Sequence, residues 1–145
     1  MLSSKRLELL LTLEQRRRDQ CERLCAGRRA ELQTLMTQRA QLESLLAQYQ
    51  SAQTSFRGAV SQLRQQVRLS ERLLNGIEEL AGLAEAAQQR LELAEATLRH
   101  SQQRCDGWQR QLTKTRAAER RSWRRRERRK LERRWLEGRR EQSEI

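Results

Sequence analysis

A run of positions spaced alternately three and four residues apart extends over residues 63–112. These positions are 63, 66, 70, 73, 77, 80, 84, 87, 91, 94, 98, 101, 105, 108 and 112. All of them are apolar except Gln66, Ser70 and Ser101, and such spacing keeps one stripe of a helix against a neighbouring helix. The stripe predicts a long coiled-coil helix over about residues 59–140, in which arginine replaces the apolar pattern after position 112.

A second stripe, which charged residues interrupt, precedes the first one and predicts a helix over about residues 4–50. Glu14, Arg18 and Arg28 interrupt this stripe. Its apolar members are Leu7, Leu11, Cys21, Cys25, Leu32, Leu35, Leu42, Leu45 and Tyr49.

The chain can reverse direction at two places. Residues 51–58 are polar and end in Gly58, whereas Asn75-Gly76 is a strong turn dipeptide. A turn at 51–58 matches the lengths of the two stripes, so that each buries the other. We therefore predict one all-α domain, residues 1–145. It is a long antiparallel two-helix coiled-coil hairpin with an overhanging basic C-terminal helix.

The composition supports helices and argues against a globular core. The chain lacks proline, has five aromatic residues, and consists for more than half of Ala, Glu, Lys, Leu and Arg. No stretch is apolar enough for a membrane span, so we expect no membrane insertion. No cleavage site follows the leucines near the N-terminus, and the cysteine count is odd. We expect a cytoplasmic protein.

Motifs for catalysis are missing from the sequence. It contains no Gly-rich phosphate loop, no GxSxG elbow and no HExxH, and His100 is its single histidine. A zinc site built from Cys21, Cys25, His100 and Cys105 is disfavoured, because the i, i+5 spacing of the last two residues fits one helix face poorly. We expect a protein that is not an enzyme and that binds no cofactor or metal.

The basic segment, residues 114–140, carries the strongest functional signal. It holds 14 Lys/Arg and four Glu, which accounts for +10 of the net charge of +12. Tryptophan and arginine are enriched at the energetic centres of protein interfaces. We predict contacts with an acidic partner that offers apolar pockets. The candidate residues are Trp108, Leu112, Trp123, Arg124, Arg125, Arg126, Leu131, Arg133, Arg134 and Trp135.

Two other partners are less well matched. A nucleic acid would be bound through the arginines, but a basic zipper places its basic region before a parallel coiled coil and not after an antiparallel one. A membrane surface would need a broader apolar stripe.

Several of these residues resemble a known family. The Leu63-Arg64-Gln65-Gln66 segment after the predicted turn, the Trp123-Arg124-Arg125-Arg126 run and the Glu141-Gln142-Ser143-Glu144-Ile145 end are similar to the InvI/SpaM branch of type III secretion stalk proteins. These are relatives of the flagellar export protein FliJ. The resemblance covers most of the chain.

The resemblance implies a function and several partners. Family members bind and stimulate a hexameric secretion ATPase, link it to the export gate at the inner membrane, and in some cases bind secretion chaperones. By this likeness the segment from Trp108 to Arg140 contacts the ATPase, and the turn contacts the export-gate protein. The turn residues so implicated are Ser51, Thr54, Phe56 and Arg57. We expect a monomer at the cytoplasmic face of the inner membrane. The alternatives are a basic coiled-coil nucleic-acid-binding protein and a purely structural coiled-coil adaptor.

Overall fold

A computed structural model of the protein describes residues 3–54 and 58–143. It contains two helices, α1 (Ser4–Thr54) and α2 (Val60–Ser143), and no strand among the described residues. No proline interrupts either helix, and no described residue has a positive φ. The two long helices pack against each other, which confirms the all-α prediction.

The helix bounds differ from the predicted ones by a few residues near the turn. Asn75 and Gly76 lie inside α2, so a turn at that dipeptide is excluded. Residues 51–54, predicted to belong to the turn, are the last residues of α1. Within this last turn, Gln53 donates a side-chain hydrogen bond of 3.0 Å to Ser70 Oγ on α2.

Contacts within the chain form two compact units. Unit 1 consists of Met1–Arg17 with Ser101–Ile145, and unit 2 consists of Arg18–His100. Each unit therefore contains a part of α1 and a part of α2.

In unit 1, residues later in α1 contact residues earlier in α2. The Ser4 amide donates to Glu119 Oε1 at 3.2 Å, and an Arg104 nitrogen lies 3.8 Å from Glu14 Oε1. The two segments are therefore antiparallel. The buried core of this unit consists of Leu7, Leu11, Cys105 and Leu112, with Trp108 packed against it.

Unit 2 shows the same antiparallel order. Ion pairs join Arg29 to Glu95 at 3.6 Å and Arg90 to Glu31 at 3.2 Å, while Gln53 reaches Ser70 further along. The buried apolar residues of this unit are Cys25, Ala87, Leu91 and Ala94.

The α2 stripe occupies the interface, as predicted. Each of its fifteen positions is buried or half-buried. The three polar members are accommodated too, since Ser70 and Ser101 are buried and Gln66 is half-buried.

The α1 stripe differs from the predicted one at several positions. Leu45 is 42% exposed, and Leu46 is half-buried in its place. The step from position 42 to 46 continues the alternation of three and four, whereas position 45 falls beside it. Glu14, Arg18 and Arg28, which we took for interruptions, are themselves buried or half-buried stripe members.

Candidate partner-binding surface

The last part of α2, residues 118–143, is exposed to solvent along almost its whole length. Glu127 alone is half-buried among these residues. The segment nevertheless carries large apolar side chains, whose exposed fractions are 63% for Trp123, 61% for Leu131, 59% for Trp135 and 54% for Leu136. Exposed tryptophans on a charged helix indicate a surface that a partner can cover.

Most arginines on this surface form no ion pair with another described residue. Among the described residues, Arg124, Arg125, Arg126, Arg133 and Arg134 take part in no ion pair. Their guanidinium groups are therefore available to carboxylates of another molecule, and guanidinium binds carboxylate in a bidentate manner.

Two contacts between side chains are internal to the described part of this segment. Lys130 Nζ lies 3.5 Å from Glu127 Oε1, and the Arg139 guanidinium carbon lies 4.4 Å from the centroid of the Trp135 ring. Such a cation–π contact is worth about 0.5–1 kcal/mol at an exposed site, so it holds the indole only loosely.

Trp123 lies near the start of α1. Glu119, one turn before it, accepts a hydrogen bond from the Ser4 amide and places a negative charge at the positive end of the α1 dipole. Trp123 lines a small groove of about 370 Å³ together with Ser4, Arg116, Glu119 and Arg120. The nearby Arg116 pairs with Glu8 on α1.

The predicted set of binding residues divides into two environments. Leu112 is only 2% exposed and belongs to the core of unit 1, and Trp108 is half-buried against that core. Both residues therefore contribute to the packing of α1 and α2. The other predicted members lie on the exposed segment.

The residues predicted to contact the export gate can be placed only in part. Ser51 and Thr54 lie in the last turn of α1, and Ser51 is exposed. Phe56 and Arg57 lie outside the described residues.

Unit 1 also contains a larger groove, which the sequence analysis did not predict. It has a volume of about 650 Å³ and is lined by Leu7, Glu14, Arg104, Gly107, Trp108 and Gln111. Glu14 is 7% exposed, its Oε1 accepts a hydrogen bond of 3.1 Å from Arg17, and its Oε2 has no partner among the described residues. The signal available in the sequence was a glycine next to a tryptophan. Gly107 has no side chain, whereas the neighbouring Trp108 has a large one.

Metal-binding clusters and membrane-spanning helices are absent from the described residues. They contain no cluster of three or more His, Cys, Asp or Glu that could hold a metal ion. Neither of the helices, as far as it is described, is long and apolar enough to cross a membrane.

No protein-family model, curated protein or solved structure matches this chain. The relationship to secretion stalk proteins therefore stays a prediction from the sequence.

Proposed function

We propose that this chain is a non-enzymatic central stalk of a type III protein secretion apparatus. In this role it binds and stimulates the hexameric secretion ATPase and links it to the export gate. The observation that carries the proposal is the exposed row of Trp123, Leu131 and Trp135 in a segment of high positive charge.

The lengths of the helices support a free end for this segment. α2 has 84 residues and α1 has 51. Ser4, the first residue of α1, contacts Glu119, so α1 supplies no further residues to pair with the helix after Trp123. We propose that residues 124–143 extend beyond the helix pair, as an overhang that the ATPase ring surrounds.

The physical basis of stimulation is asymmetry. One helix contacts only some of six identical subunits at a time, so it stabilises particular conformations of those subunits. A ligand shifts a conformational equilibrium only through its different affinities for the states. The tryptophans supply apolar contact and the unpaired arginines supply charge, while the hydrolytic chemistry belongs to the ATPase.

At the other end of α1 the connection between the helices faces the export gate. In this proposal Ser51, Thr54, Phe56 and Arg57 are the contact residues. The secretion chaperones are further partners that the family resemblance implies.

The test is the rate of ATP hydrolysis by the cognate secretion ATPase as the protein is titrated in. The wild-type protein is expected to stimulate hydrolysis, and the Trp123→Ala/Trp135→Ala variant is expected to lose this effect. Leu83→Ala/Leu93→Ala is the matched control, because these leucines are 52% and 70% exposed but lie outside the basic segment. Circular dichroism checks that both variants remain helical. Full stimulation by the tryptophan variant would contradict the proposal.

A basic nucleic-acid-binding protein is the second candidate, and the unpaired arginines favour it. Phosphate contacts release counterions, so this function predicts affinity for duplex DNA or RNA that falls steeply with salt concentration. Fluorescence anisotropy with labelled duplexes at two salt concentrations decides the matter. Failure to bind at physiological salt eliminates this candidate.

A further inference from the structure

We propose that the groove lined by Gly107 and Trp108 is a second protein-binding site, which takes an acidic amphipathic helix from a partner protein. This site is separate from the exposed surface around Trp123 and Trp135, and it does not depend on the proposed role in secretion. All of its lining residues belong to unit 1.

The shape of the groove fits a helix. Its lining residues come from 7–14 on α1 and from 104–111 on α2, which are antiparallel segments of about two helical turns each. A furrow between two packed helices accepts the side-chain ridge of a third helix.

Gly107 keeps the groove open. A glycine inside a helix costs about 1 kcal/mol relative to alanine, and nothing lies within 4 Å of the place where a Cβ would be. Packing within the chain therefore does not require a glycine at this position. An apolar side chain of the incoming helix would fill the notch and contact the half-buried Trp108.

The charges of the groove favour an acidic occupant. The Arg104 side chain is 52% exposed, and its nearest carboxylate oxygen, Glu14 Oε1, is 3.8 Å away, too far for a hydrogen bond. Arg104 can therefore donate to a carboxylate on the incoming helix. Glu14 opposes this little, because Arg17 and Arg104 both lie near its Oε1 and together outweigh its single negative charge. The basic segment that begins at Lys114, shortly after the groove, adds a field that attracts acidic partners.

The experiment uses the fluorescence of Trp108. Trp123→Phe/Trp135→Phe leaves Trp108 as the single tryptophan of the chain. Two synthetic helical peptides serve as probes, each with a leucine stripe on an alanine background. One carries glutamate on its polar face and the other carries lysine. The acidic peptide is expected to shift the Trp108 emission in a saturable manner, and the lysine peptide is expected to leave it unchanged.

Gly107→Leu and Gly138→Leu then form a matched pair in the same background. Both glycines lie in α2 with nothing near the position of a Cβ, so both substitutions favour the helix, but only the first fills the groove. Gly107→Leu is expected to weaken binding of the acidic peptide by at least about tenfold, which corresponds to about 1.4 kcal/mol. Gly138→Leu should bind like the parent, and Arg104→Gln should bind the acidic peptide more weakly.

Three results would overturn the proposal. These are failure of the acidic peptide to change the Trp108 emission, an equal response to the lysine peptide, and undiminished binding to Gly107→Leu. The stimulation of an ATPase by the wild-type protein is a separate measurement, so either proposal can fail alone.

Discussion

Leu7 and Leu9 are two residues apart on α1 and occupy opposite environments. Leu7 is 1% exposed in the core of unit 1, whereas Leu9 is 67% exposed. We expect Leu7→Ala to lower the free energy of unfolding by about 2–5 kcal/mol, the usual cost of a cavity in a packed core. Leu9→Ala should change it by no more than about 0.5 kcal/mol. Urea denaturation followed by circular dichroism measures both, and equal effects would contradict the assigned burial.

Glu14 is a buried carboxylate, and only one of its two oxygens has a hydrogen-bond partner among the described residues. Arg17 donates to Oε1, but Oε2 is buried and has no hydrogen-bond partner among the described residues. A buried unsatisfied polar atom costs about 1–3 kcal/mol. We expect Glu14→Leu to raise the free energy of unfolding by a similar amount. Arg17 and Arg104 stay hydrated, since their side chains are 64% and 52% exposed.

Glu22→Leu is the control for this substitution. Its side chain is 52% exposed on the same helix, and its pair with Arg18 is long, at 3.9 Å. The free energy of unfolding of the Glu22→Leu variant should therefore differ little from that of the wild type. A loss of stability in Glu14→Leu would show that the carboxylate contributes more through its arginine contacts than its burial costs.

At the level of the helix, the glycines of α2 differ in what surrounds them. A Cβ on Gly76 would lie 3.3 Å from Leu42 Cδ1, whereas nothing lies within 4 Å of the corresponding point at Gly82. We expect Gly82→Ala to stabilise the protein by about 0.5–1 kcal/mol through helix propensity. Gly76→Ala should gain less, because Leu42 must move. Thermal unfolding of the two variants tests this order, and the reverse order would contradict the packing of Leu42 against Gly76.

The helices were predictable because their stripes are long and regular. One residue per turn or nearly so must face the partner helix, and the α2 stripe follows this rule at every position. The interface positions of α1 were harder to predict, because charged residues occupy some of them. Spacing alone assigns Glu14 and Arg18 to the interface, but their polarity argued against that assignment. Long side chains can bury their stems and pair their charged ends, so polarity was the poorer guide here.

The candidate surface was predictable only in part. Residue type identified the tryptophans and arginines, and the end of the stripe indicated that Trp123 and Trp135 are exposed. Burial of Leu112 follows from its place as the last stripe position, just before the basic segment begins. The groove at Gly107 depends on side chains from both helices. Its partners on α1 could not be identified before the register of the two helices was known.

At the scale of the whole molecule, the stripes of α1 and α2 are buried either against each other or against a second copy of the chain. The interface positions of α2 are buried or half-buried within a single chain. A second copy is therefore not needed to cover them. We expect a monomer of 17.3 kDa in light scattering, at all concentrations tested.

The concentration dependence of the melting temperature gives an independent test of the same prediction. Association that stabilises the folded state makes the melting temperature rise with protein concentration, whereas folding within one chain leaves it constant. We expect a constant melting temperature over a hundredfold range, roughly 1–100 μM, because α1 and α2 bury each other. High salt is the necessary control, since a net charge of +12 keeps copies apart electrostatically and would hide a weak apolar association at low salt. A melting temperature that rises with concentration in high salt, together with a doubled mass, would instead support the structural adaptor that dimerises through α1.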